Sequence, residues 1–140
     1  MLKGLNPLLG PDLLFALRSM GHGDEIEIVD GNYPAVADAR RLVRADGHNA
    51  SALLDAILSV ITLDHMVPEA AFIPYTDQPQ KIHLDFQHLV SSHEPKISLV
   101  PLRGQTFYDR VKGAFAIVAS SEAALYGNIV LRKGVIHPTP

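Results

Sequence analysis

Hydrophobic positions along the chain change their period several times, and each change marks an element. Leu13, Leu14, Leu17 and Met20 recur at i, i+1, i+4 and i+7, which puts them on one face of a helix. Pro11 suits the first turn of that helix, where its missing N–H costs nothing, and Gly21 suits its end. From Glu25 to Asp30 the period drops to two, predicting a strand that Gly31-Asn32-Tyr33-Pro34 closes. Residues 35–41 carry no clear period, and Leu42–Ala45 before Asp46-Gly47 predicts a short strand. Leu53, Leu54, Ile57, Leu58 and Ile61 then restore the helical period, with Asn49 or Ser51 available as the cap.

Further along, Ala70 to Tyr75 reads as a buried strand and the polar segment 76–81 as a loop. A helix is expected from Lys81 to about Ser92, a strand over Ile97–Val100, and a short helix over Thr106–Lys112 that Gly113 stops. Ala114–Ala119 is a continuous apolar run of strand length, the pattern of a sheet covered on both faces. Asn128–Arg132 supplies the last strand. Strands alternate with helices throughout. The expected fold is therefore α/β: one three-layer domain, residues 1–140, with a mostly parallel or mixed sheet flanked by helices.

Composition adds a partner to this picture. In a chain of 140 residues, 47% are hydrophobic and 19% charged, and the mean hydropathy is +0.13. Surplus apolar surface on so small a chain is expected to lie between subunits, as in a homo-oligomer. The net charge of −3 and the lack of any Lys/Arg cluster argue against nucleic acid or an anionic membrane as partner. With no cysteine, disulfides, thiolate metal sites and a Cys nucleophile are excluded. The apolar N-terminal stretch is broken by Pro7 and Pro11, so it does not read as a signal peptide, and no run reaches the length of a membrane span. A cytoplasmic protein is expected.

Candidate chemistry concentrates around the predicted first strand. His22 lies between two glycines just past a helix end; it either caps carbonyls there or serves as a general acid/base, since imidazole changes charge near neutral pH. Asp30 stands at the carboxyl end of the strand, where open α/β sheets bind ligands, although an Asx-turn with Gly31-Asn32 also accounts for it. Asp24 and Glu25 read as solvated turn residues. Near the C-terminus, Tyr126-Gly127-Asn128 sets a phenol and an amide around a glycine, and its plain alternative is a turn with Asn128 left-handed. An imidazole, a carboxylate, a phenol and an amide together suit a sugar or polyol. Metal fits poorly: His83, His88 and His93 fall about 140° apart around a helix and cannot converge. Dinucleotide, P-loop and nucleophile-elbow motifs are absent.

Several segments, in order, resemble one family. They are Leu5-Asn6-Pro7-Leu8-Leu9, Pro11-Asp12-Leu13-Leu14, Met20-Gly21-His22-Gly23-Asp24-Glu25, Asp30-x-x-x-Pro34, Arg44-Ala45-Asp46-Gly47, Phe107-Tyr108-x-Arg110, Ala114–Val118 and Tyr126-Gly127-Asn128-Ile129. Together they resemble the RbsD/FucU family of D-ribose pyranases and L-fucose mutarotases, on the fucose side. The resemblance implies a cofactor-free isomerase that interconverts sugar anomers. It also implies a ring-shaped homo-oligomer, commonly a decamer of stacked pentamers, with sites between subunits. By the same resemblance His22 is the acid/base, Asp30 its partner or a sugar ligand, and Tyr126, Gly127 and Asn128 hold hydroxyls. The fucose branch places an arginine three residues before the Phe-Tyr pair. Here Gly104 stands at that position and Arg103 one residue earlier, so Arg103 is the candidate for the arginine's role. Asn32 replaces a histidine of some fucose enzymes, which leaves the sugar open. A non-catalytic monosaccharide-binding protein of a transport or regulatory system is the alternative.

Overall fold

The computed structural model describes residues 1–140 throughout. Six strands form one sheet: β1 (Glu25–Val29), β2 (Leu42–Ala45), β3 (Ala71–Pro74), β4 (Val100–Leu102), β5 (Ala116–Ser120) and β6 (Ile129–Arg132). Their order across the sheet is β2-β5-β1-β6-β3-β4. β6 runs antiparallel to both its neighbours, whereas the β1–β5, β2–β5 and β3–β4 pairs are parallel. The sheet is thus mixed, and the start of β6 lies at the same edge as the carboxyl ends of the other five strands. No helix is long and apolar enough to cross a membrane.

Helices cover both faces and give the expected three layers. On one face α1 (Pro11–Ser19), α3 (Ala50–Leu58) and α4 (Lys81–His93) bury Leu13, Leu17, Leu53, Ile57 and Phe86 against Ile26, Ile28, Val118 and Leu131 of the strands. On the other face α2 (Ala35–Asp38) and α5 (Gln105–Gly113) set Ala35, Phe107 and Val111 on Val29, Phe72, Ile117 and Val130. The aperiodic stretch 35–41 thus holds a single helical turn. Asn49 caps α3, its side chain accepting from the Ala52 N–H at 2.8 Å. At the same end the Glu122 carboxylate accepts from the Ala50 N–H at 3.0 Å, a negative charge at the positive end of the helix dipole.

Two expectations need correcting. The fourth strand is Val100–Leu102, not Ile97–Val100. The Gln87 side chain accounts for the difference, because it donates to the Ile97 carbonyl and accepts from the Leu99 N–H, so those groups are bonded before pairing can begin. Pro101 is tolerated in β4 because the strand lies at the sheet edge. The second correction concerns Glu25, which is not a solvated turn residue. It opens β1, and Arg110 grips it through Nε at 2.9 Å and Nη2 at 2.6 Å while lying 3.6 Å over the Phe72 ring.

Glu27, two residues on and on the same face of β1, is completely buried under α5. Neither of its carboxyl oxygens has a hydrogen-bond partner. Burial, and then the charges of Glu25 and Asp30, push its carboxyl well above the usual range. A buried carboxyl without a partner favours the neutral form.

Candidate functional site

α1 ends at Ser19 with Met20 as its cap, and the chain turns sharply through Gly21-His22-Gly23. The Gly21 N–H is held by Asp24 Oδ2 at 2.8 Å, and Gly23 adopts a φ of 87°. The α1 carbonyls are capped by Lys133, whose Nζ donates to Leu17 and Met20 at 2.8 and 2.7 Å. His22 therefore has no capping duty. Its Nε2 instead lies 3.0 Å from Oδ2 of Asp64, an oxygen that also accepts from Arg132 Nε at 2.8 Å. Asp64 Oδ1 accepts from the Met66 N–H.

Burial alone would raise the Asp64 carboxyl; its bonds from Arg132, Met66 and His22 outweigh that and hold it down at about 2. An ionised carboxylate only accepts hydrogen bonds, so Nε2 of His22 carries the proton and Nδ1 is left for a ligand. The imidazole side chain is 40% exposed over a fully buried carboxylate. Asp64, 42 residues away in sequence, stood in no motif and was legible from no local signal.

At the other end of β1 the chain builds a second feature. The Asp30 N–H donates to Asn128 Oδ1 at 2.8 Å, and Asn128 Nδ2 donates back to Asp30 Oδ2 at 3.1 Å. Asp30 Oδ1 accepts from the Asn32 N–H at 2.8 Å. Asn128 is buried, and its amide orients Asp30 at the seam of β1 and β6. The left-handed residue of the adjoining turn is Tyr126, at φ 61°, rather than Asn128. That backbone costs a non-glycine residue on the order of 1–2 kcal/mol, and the surrounding structure imposes it. Nε2 of His83 on α4 donates to the Tyr126 carbonyl at 2.8 Å. Burial pulls the His83 imidazole below its ordinary value, which favours the neutral, donating form.

Asp30, Asn128 and Tyr126 line a cleft of about 530 Å³, a size typical of small-molecule sites. Its remaining wall includes Tyr33, Asp38, Tyr108 and Lys112. Tyr33 and Tyr108 stack at 6.3 Å, and the Tyr33 hydroxyl donates to Asp38 Oδ2 at 2.8 Å. Burial and this bond together keep the Tyr33 phenol from ionising, its pKa being raised far beyond the ordinary 10. Tyr108 stands out along the chain only within Phe107-Tyr108-x-Arg110, and Asp38 falls in the stretch without periodicity, where no local signal marks it.

Gly127 fixes this wall. A Cβ there would meet Glu122 Cγ at 2.8 Å and the Ala124 carbonyl at 3.0 Å. Glu122 cannot yield freely, because its carboxylate holds both the Ala50 and Ala124 N–H groups. Gly127→Ala is expected to destabilise the fold by about 1–3 kcal/mol. Thermal melting checks the loss of stability, and calorimetric titration with a monosaccharide should show weaker binding.

Two sequence candidates lie elsewhere. Arg103 stacks on Tyr75, its Cζ 3.8 Å from the ring centre, and it does not line the cleft. Three strand spacings of about 4.8 Å separate β4 from β1, so its backbone is roughly 14 Å from Asp30. His22 lies beyond the opposite end of β1. That strand alone, Glu25–Val29, holds its two ends roughly 13 Å apart, with His22 before one end and Asp30 after the other. Within one chain His22 and Asp30 do not share a pocket; His22 pairs with Asp64. No group of three His, Asp or Glu side chains is arranged to hold a metal ion.

Comparison with known proteins decides the family. Residues 3–136 match the model of the RbsD / FucU transport protein family. The chain belongs to the RbsD/FucU family. The fucose mutarotase of Bos taurus is 40% identical, over 99% of this chain and 96% of that one. The crystal structure of the fucose mutarotase of Streptococcus pneumoniae in complex with L-fucose superposes with a TM-score of 0.93. It is 40% identical and covers 97% of this chain and 100% of its own. RbsD of Bacillus subtilis, complexed with D-ribose, shares the fold at a TM-score of 0.77 and 19% identity, with 98% and 100% covered. This RbsD/FucU chain thus stands on the fucose mutarotase branch.

Proposed function

We propose that this protein is a monosaccharide mutarotase, an isomerase that interconverts the α and β anomers of L-fucose or a related sugar. The observation that carries the reading is the pair of half-sites at the two ends of β1. One is an imidazole oriented by a buried, ionised carboxylate; the other is a polar cleft with a carboxylate, an amide and free phenols. The fucose mutarotases among its relatives support the same reading.

Mutarotation opens a hemiacetal. One group removes the anomeric hydroxyl proton while another protonates the ring oxygen; the aldehyde rotates and recloses on its other face. His22, backed by Asp64 and Arg132, is the proton-transferring imidazole. Asp30 accepts a sugar hydroxyl, in the position that Asn128 sets. Tyr108 and Tyr126 are the phenols on the cleft wall whose hydroxyls have no partner within the chain, so they are the donors available to the ring oxygen. The two half-sites meet when His22 of one chain faces the cleft of a neighbour. That arrangement places the site between subunits of a homo-oligomer, and a decamer of stacked pentamers is the assembly we infer.

The test is to dissolve a single crystalline anomer of L-fucose and follow optical rotation with and without protein. Faster decay is expected; equal curves across fucose, galactose and ribose would defeat the proposal. A binding protein without catalysis is favoured by one observation, the absence of His22 from the cleft of its own chain. It predicts saturable sugar binding with no magnetisation transfer between anomeric protons by NMR.

A further inference from the structure

The cleft holds a second carboxylate that the mechanism does not use. Asp38 ends the one-turn helix α2, is half-buried, and lines the same wall as Tyr33 and Tyr108. Its Oδ2 takes the Tyr33 hydroxyl at 2.8 Å, and its other oxygen has no hydrogen bond within the chain. The Tyr33 ring is itself held by Tyr108, stacked at 6.3 Å. An aromatic brace thus orients a carboxylate that has acceptor capacity to spare.

We propose that Asp38, aimed by Tyr33, is a specificity-determining acceptor for one sugar hydroxyl. The class of substrate it selects is a neutral monosaccharide that keeps the hydroxyl at that position, rather than its deoxy analogue or a sugar phosphate. This inference rests on the reading of the cleft as a monosaccharide site.

Three arguments support it. A sugar hydroxyl is a natural partner for the free Asp38 oxygen, whereas a hydrogen or methyl at that place leaves a half-buried carboxylate facing an apolar group. Sites built to bond a hydroxyl reject analogues that lack it much more strongly than apolar pockets reject an added group. Charge excludes the phosphates: Asp30 and Asp38 face the cleft against one ammonium, Lys112, so an anionic ligand meets net repulsion. The stacked tyrosines meanwhile offer an apolar surface to the C–H face of a sugar ring.

The experiment measures kcat/KM for anomer exchange by NMR with L-galactose and its 2-, 3-, 4- and 6-deoxy derivatives, the last being L-fucose. The wild-type protein should disfavour one derivative by about 10- to 100-fold relative to the parent sugar, the worth of one hydrogen bond to a charged group at a half-buried position. In Asp38→Ala and in Tyr33→Phe that single penalty should shrink to within a few-fold, while the ratios among the other derivatives stay as in the wild type. A uniform fall for all five sugars in both variants would assign Asp38 a structural role and overturn the proposal. No penalty for any derivative in the wild type would overturn it as well. The same series read by calorimetric affinity separates the two hypotheses. If the protein binds sugars without speeding anomer exchange, the mutarotase reading fails, and the deoxy penalty in affinity still decides the role of Asp38.

Discussion

Mixing His22→Ala subunits with Asp30→Asn subunits should restore about a quarter of the wild-type mutarotase activity, although each variant alone is nearly inactive. The quarter follows from random assembly: one site in four pairs a chain that retains His22 with a neighbour that retains Asp30. His22→Ala alone should lose about 10²–10⁴-fold, the usual contribution of a positioned acid/base. Asp30→Asn keeps an acceptor for the Asn32 N–H and removes the charge that takes the sugar hydroxyl. The measurement is optical rotation after the two variants are dissociated together and reassembled. Size-exclusion chromatography of each variant shows whether its assembly is intact. No recovery in reassembled mixtures would mean that the two residues act within one chain, against the separation that β1 imposes, or not at all.

Glu27→Met should stabilise the protein, and by more at pH 8 than at pH 4. The wild-type carboxyl lies wholly buried with no partner, and burial raises its pKa above the unfolded value near 4.5. The sign follows from proton binding. Between the unfolded and folded pKa values the folded chain holds a proton that the unfolded chain has released. Stability therefore falls as pH rises through that window, by about 1.4 kcal/mol per pH unit from this one group. Below the unfolded value both states are protonated and this contribution vanishes. Methionine has a similar shape and no proton to hold, so the variant loses this slope. Guanidinium unfolding at pH 4, 6 and 8 measures it. A wild-type curve parallel to that of the variant would show that the Glu27 carboxyl ionises in the folded protein as it does in the unfolded one.

Much of the architecture was legible along the chain because helix and strand periods are local properties. The stripe of α1, the cap and stripe of α3, and the continuous apolar run of β5 fall close to where the pattern put them. Where the pattern misled, a distant side chain had intervened. Gln87 moved the start of β4, and Arg110 drew Glu25 out of solvent. The alternation Glu25-Ile26-Glu27-Ile28 implies a strand with one wet face, yet β1 lies in the interior of the sheet under α5. The order of strands decides that, and no window of local sequence contains it.

The candidate site divides the same way. His22, Asp30, Tyr126 and Asn128 announce themselves through residue type and through the turns around them. Taken alone, the sequence determined most of the elements, the family and this short list of polar side chains, because each depends on neighbours along the chain. Only the tertiary structure decided that His22 leans on Asp64 and Arg132 holds Asp64, that Asn128 serves Asp30, and that Asp38 and Tyr108 share the cleft. Those pairings join residues up to 98 positions apart. The contacts of Asn128 and Arg132 exist because β6 returns antiparallel beside β1, carrying Asn128 to one end of that strand and Arg132 to the other.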